Sequence, residues 1–232
     1  MVTVSPRVLD FDLAELTVRE VNAALKGLPA GASVRLLSAR GEHNLAVGLD
    51  AEISVEIEGP AGYYVGGLGK QARITVHGAA GWGVGENLMS GSVVVHGNAS
   101  QSAAATAHGG LVVVHGDASL RAGISLKGGT LAVAGDVGRY CGFLAQAGTI
   151  LIGGDASAGL GDSLYEAVIY VAGRVDALGT DAQVEKLTEA DVARVTLLCN
   201  EAGFSHIDPG NVTRIGSARR LYHFDTQHAG SY

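Results

Sequence analysis

Three histidines, His77, His96 and His115, stand 19 residues apart. Imidazole is a common zinc ligand and changes charge near neutral pH, so a regular histidine column raises two possibilities, a metal site and a proton-handling site. If the three occupy successive rungs of a stacked sheet, neighbouring rings lie about 4.8 Å apart and the outer pair about 9.6 Å. A zinc ion needs nitrogens at about 2.0–2.1 Å, and three collinear rungs converge on such a point poorly. The histidines follow Val76, Val95 and Val114 directly. Alternation along a strand turns them outward if the valines face in, and this favours a surface ladder open to a partner over a metal centre.

Other residues invite chemistry and receive plainer readings. Asn98, Asp117, Asp136 and Asp155 form a second column at the same period. Side-chain capping of turn backbone accounts for it, and the nine-residue GGxGxDxUx repeat of calcium-binding β-rolls is missing. The runs GWGVGEN and GLGDS contain closely spaced glycines, but phosphate-cradling glycines belong between a strand and a helix start, and no helix is expected after either. Cys141 and Cys199 are the only cysteines, too few for a disulfide framework, a four-cysteine zinc site or an iron–sulfur cluster held by this chain alone. Neither has a base beside it in sequence. Cys141 falls in an apolar column and Cys199 on the apolar side of a helix, where each serves as a small core residue.

The elements that position these residues follow from the period itself. Glycine recurs every 19 residues at Gly59, Gly78, Gly97, Gly116, Gly135, Gly154 and Gly173. Two and four places before each lie aliphatic residues, from Val55 and Ile57 to Ile169 and Val171. Alternating aliphatics mean short strands with one buried face, and equal unit lengths let them stack in register as parallel rungs. The expected fold is therefore all-β: a parallel β-helix of about seven regular coils, right-handed by the usual rule for parallel crossovers. Further glycine columns mark corners. Gly66, Gly85, Gly123, Gly142 and Gly161 lie seven places after the anchors, and Gly62, Gly81 and Gly138 three places after. Such corners favour residues able to take positive φ. The coil starting at Gly97 has Ser100 and Ala104 in these columns, so its corners are expected to be shaped differently.

A single domain spans 1–232: a leading cap with a helix (1–32), the β-helix (33–181), and a carboxy-terminal helix and tail (182–232). In the cap, Thr17 and Glu20 form a capping box ahead of Val18, Val21, Ala24 and Leu25. SVRLLS and HNLAVGL then look like the strands of an irregular first coil. A second helix, with Thr188 as cap and Gly203 at its end, is expected to close the far end of the solenoid. The tail from Asp208 has no periodicity but brings together Arg214, Arg219, Arg220, Tyr222 and Phe224, a composition suited to docking on a partner or folding back. The formal net charge of −7, with no basic cluster before Arg214, argues against nucleic-acid binding. No signal peptide or membrane span is legible, and two isolated cysteines suit a reducing cytoplasm.

The G-x-x-G-x-x-x-G corners, as in Gly59-Pro-Ala-Gly62-Tyr-Tyr-Val-Gly66, Gly78-Ala-Ala-Gly81-Trp-Gly-Val-Gly85 and Gly135-Asp-Val-Gly138-Arg-Tyr-Cys-Gly142, resemble the GXGXG domain of glutamate synthases over roughly residues 41–181. TVREVNAAL and GDASAGLGDSLYEAVIYVAGRV look like its detached single-domain form, the small β-helical subunit of N-methylglutamate synthase and glutamate-synthase-like complexes. The resemblance implies a structural role. In that family the domain supports a glutaminase-type amidotransferase unit and an FMN-binding synthase unit and carries no catalytic residues. The expectation is a hetero-oligomer, with FMN and an iron–sulfur cluster on the partner subunits and no cofactor on this chain. Val2 follows Met1, so the chain lacks an amino-terminal cysteine nucleophile of the glutaminase kind. The motif glycines carry over as fold-forming residues only. The alternative is a self-sufficient β-helical enzyme, a hexapeptide acyltransferase or metal-dependent hydratase. A six-residue period would be needed for the first, and 19 is not a multiple of six.

Overall fold

A computed structural model describes residues 8–220. After a short strand β1 (Val8–Asp12) and helix α1 (Val18–Lys26), one strand of each coil stacks onto the last: β2 (Ser33–Leu37), β3 (Ser54–Ile57), β4 (Arg73–Val76), β5 (Ser92–Val95), β6 (Leu111–Val114), β7 (Lys127–Val133), β8 (Ala147–Ile152) and β9 (Val168–Val171). All of these pair in parallel, in chain order. The register is set by the aliphatic columns: Val55 lies beside Ile74, then Val93, Val112, Leu131, Ile150 and Ile169. A second line of parallel bridges runs through Ala61, Ala80, Ala99, Ala118, Val137, Ala156 and Val175. Between the two lines the inward side chains form one continuous apolar core. The β-helix read from the period is the fold observed.

The start of the solenoid is sealed as the capping signals predict. Thr17 and Glu20 make the reciprocal capping box of α1, whose Val21 and Leu25 are fully buried in the core. The Asn22 carboxamide holds the helix to the first coil, donating to the Asn44 carbonyl and accepting from the Ala46 amide. Strand β1, which no periodic signal marks, precedes α1 and pairs in parallel with β2.

The far end differs from expectation. Helix α2 (Glu189–Ala202) does not cover the last coil. It lies along the flank, where Val195, Leu198, Cys199 and Ala202, with Phe204, Ile207 and Val212, pack on Val113, Ala132, Leu151 and Tyr170 of β6–β9. The outward column explains the choice: Glu56 and Thr75 precede Val94, Val113, Ala132, Leu151 and Tyr170, so the outer face of the sheet turns from polar to apolar midway. An apolar sheet face exposed to water would forfeit roughly 25 cal/mol per Å2 of burial, and α2 is the element that covers it. The tail that shows no period then contributes β11 (Thr213–Ser217), antiparallel to β9, with β10 (Ala182–Glu185) antiparallel on its other side. Reversed strands occupy the edge that the last rung would otherwise leave open.

Candidate functional site

The histidine ladder forms as a stack. His77 and His96 have ring centroids 5.2 Å apart with planes 10° from parallel, and His96 and His115 stand 5.0 Å apart at 7°. At one end the His77 Nε2 lies 2.5 Å from a Glu56 carboxylate oxygen on the neighbouring rung. At the other, Phe204, just past the end of α2, meets His115 edge-on at 5.6 Å. Burial beneath that segment, aided by the adjacent His96, lowers the His115 pKa below its ordinary value. His206 continues the line, with its Nε2 3.0 Å from the Ala134 carbonyl oxygen. His77 and His96 are solvent-exposed, so the ladder is half open and half roofed by the segment after α2. Among the described residues no group of three or more histidine, cysteine or carboxylate side chains converges as metal ligands.

The Asx column caps backbone, but between coils instead of within its own turn. Asn98 Oδ1 accepts from the Asp117 amide at 2.9 Å, Asp117 Oδ1 from Asp136 at 2.9 Å, Asp136 Oδ1 from Asp155 at 2.7 Å, and Asp155 Oδ1 from Arg174 at 2.7 Å. This ladder explains the anchor glycines from Gly116 to Gly173. A Cβ on Gly116, Gly135 or Gly154 would fall on the capping oxygen of Asn98, Asp117 or Asp136. None of these glycines has positive φ; the space is what the position requires. Gly78, Gly81, Gly97 and Gly138 abut backbone of the preceding coil in the same way, and Gly62 abuts His43 and backbone of the first.

The seven-place column is conformational. Gly66, Gly85, Gly123, Gly142 and Gly161 all have φ between 66° and 70°. Ala104, where the sequence suggests a differently shaped corner, has φ 56°. The corner is preserved and the alanine is held in the left-handed region.

The predicted tail residues separate. Arg214 lies on the outer face of the sheet beside Tyr170, ion-paired with Glu185 and with its Nε 3.0 Å from Asp191 Oδ1 of α2. Tyr170 donates its hydroxyl to the same Asp191 oxygen at 2.5 Å. Burial, together with that carboxylate, pushes the Tyr170 pKa up to about 12. For Asp191, burial acts to raise the pKa, but hydrogen bonds from Thr188 and Tyr170 outweigh it and hold the carboxyl below its ordinary value. This network ties α2, β9, β10 and β11 together, so Arg214 has its partners within the chain. Arg219 lies exposed, 3.6 Å from Glu166, and the Arg220 amide bonds Asp181. Tyr222 and Phe224 lie outside the described residues. Cys141 is fully buried, its thiol pushed up to about 12 by desolvation, and Cys199 is buried on the face of α2 that packs on the sheet.

A feature that periodicity did not single out is a strip of exposed aromatics on the corner face. His43 stacks on Tyr63 at 4.3 Å and Tyr63 on Trp82 at 5.4 Å. Tyr64, Leu120 and Tyr140 are exposed in the same or the adjoining column. The signal was in the sequence, four or five places after Gly59, Gly78 and Gly135, but outward columns carry no alternation rule to flag them.

No family model matches the chain. Over 225 residues, 96% of this chain and 99% of the relative, it is 46% identical to Protein GlxC of Rhizobium meliloti (strain 1021). That similarity takes in nearly the whole solenoid and its terminal additions, and the chain belongs to the GlxC family.

Proposed function

We propose that this chain is a non-catalytic structural subunit of a glutamate-synthase-like complex, of the N-methylglutamate synthase kind, bridging a glutaminase-type amidotransferase subunit and an FMN-binding synthase subunit. The observation that carries this reading is where the chemistry-bearing residues are spent. The Asx column caps the next coil, Asp191, Arg214 and Glu185 lock α2 to the sheet, and both cysteines are buried with raised thiol pKa values. A chain whose polar groups are committed to its own rungs is suited to presenting surfaces. The repeat's resemblance to the GXGXG domain of glutamate synthases supplies the kind of complex, and relatedness to Protein GlxC over almost the full length is compatible with a free-standing subunit.

The test is purification from the native host with an affinity tag on this chain, followed by subunit identification and by flavin and iron analysis. Co-elution of an amidotransferase-like chain and a flavin-containing chain, in fixed ratio and with glutamine-dependent amino transfer to a 2-oxo acid, is the expected result. A chain that elutes alone and catalyses a reaction by itself overturns the reading.

A further inference from the structure

We infer that the corner of the coils starting at Gly59 and Gly78 is a docking surface for a partner protein that presents an arginine, its guanidinium pairing with Glu86 and its apolar neighbours covering Tyr64, Leu68 and Trp82. Glu86 is a carboxylate without a counterpart. It is half-buried, and burial raises its pKa with no partner acting against the shift. Among the described residues no hydrogen bond or ion pair reaches its side chain, and neither oxygen is sealed from water. Every other described carboxylate that is not exposed has a partner within the chain, as Glu56 has His77, Asp162 has Ser163 and Asp191 has Arg214. The repeat does not demand an acid here either, because the same place in neighbouring coils holds Gly67, Ala105, Ile124 and Phe143. A charge drawn partly out of water costs free energy unless it is paired, so Glu86 marks a place completed from outside the chain.

The surroundings of the carboxylate fit a protein contact. It lies over the bare α-carbon of Gly83 beside the Tyr64 ring: a Cβ on Gly83 would stand 2.7 Å from both Glu86 Oε2 and Tyr64 Cδ1. The Tyr64 amide donates to the Trp82 carbonyl at 2.7 Å and the Leu68 amide to the Glu86 carbonyl at 2.8 Å, so the carboxylate and the three apolar side chains form one patch. Tyr64, Leu68 and Trp82 are all exposed. Exposed aromatics around a partly desolvated charge have the make-up of an interface hot spot. Charge selects the occupant, since Glu86 is the one formal charge among these side chains and calls for a cation. Arginine suits the place better than lysine: its planar fork bonds a carboxylate through two N–H groups, and it is more weakly hydrated than an ammonium. The formal net charge of −7 also favours approach of a basic partner. Identifying that partner with a subunit of the complex proposed above rests on that reading; the surface and its chemistry do not.

Trp82 is the only tryptophan in the chain, so its fluorescence reads binding at this patch alone. Titrating the full chain with the peptide N-acetyl-Leu-Arg-Leu-amide should give a saturable change with half-saturation in the millimolar range. The citrulline analogue, which keeps the shape and loses the charge, should bind at least about fivefold more weakly. Glu86→Gln should weaken the arginine peptide by a similar factor and leave the melting temperature of the isolated chain unchanged or raised, because an unpaired charge is removed. Equal binding of the two peptides, indifference to Glu86→Gln, or no saturation overturns the inference. So does a Glu86→Gln chain that melts earlier, which would mean that this chain itself supplies the counter-charge. In the complex purified from the native host, Glu86→Gln should lower the recovery of partner subunits at least about threefold. A complex indifferent to the variant overturns the inference and leaves the proposed function standing, whereas a wild-type chain that elutes alone overturns the proposed function and leaves the peptide titration to decide here.

Discussion

The corner residues show how one column can be governed by two opposing terms. At Gly123 a Cβ would stand 2.6 Å from Ile150 Cδ1 and take on left-handed strain as well. Gly123→Ala is therefore expected to destabilise by roughly 2–3 kcal/mol, the sum of strain and overpacking. Ala104 meets the same backbone demand, but its methyl is fully buried in the core. Replacing it with glycine would relieve about 1 kcal/mol of strain and remove about 0.8 kcal/mol of apolar burial, so Ala104→Gly should be nearly neutral. Chemical denaturation of the two variants checks both. A large loss for Ala104→Gly, or none for Gly123→Ala, would show that the column is not shaped by these terms.

Among the elements, α2 is the one whose placement depends on a polar lock as well as on apolar packing. Asp191 accepts from Tyr170, Arg214 and Thr188, and its folded-state pKa lies below the unfolded value of about 3.9. A carboxyl depressed by folding contributes stability that is complete above the unfolded pKa and is lost as pH falls from there through the folded value. Below about pH 4 the wild type should lose melting temperature partly through this group. Asp191→Asn should cost roughly 3 kcal/mol at neutral pH, because it leaves Arg214 with one carboxylate in a half-buried site, and should flatten the acid limb. Thermal melts of both proteins between pH 3 and 7 measure the difference; parallel curves would mean that another group sets the acid response.

For the whole molecule, the segment Thr213–Ser217 is part of the sheet. Ile215 is fully buried, and β11 pairs with β9 on one side and β10 on the other, so deleting residues 213–232 should lower the melting temperature by about 10 °C or more and promote association through the freed edge. An unchanged melt would contradict this placement. The solenoid itself was legible because each coil repeats the same local rule: aliphatics two and four places before a glycine fix strand, inward face and register together, and repetition multiplies a weak signal. The outward histidine column followed from that alternation. What the sequence alone could not locate was pairing and packing outside the repeat. Strand β1, the reversed β11, the course of α2 along the flank and the pairing of Arg214 with Asp191 and Glu185 arise from non-local contacts, where the partner lies tens of residues away and no spacing announces it. The Gly97 coil makes the same point within the repeat. Local propensity suggested a different corner at Ala104, but coils hydrogen-bonded above and below hold its backbone in the shape of its neighbours, because tertiary register outweighs the roughly 1 kcal/mol that a single residue can contribute.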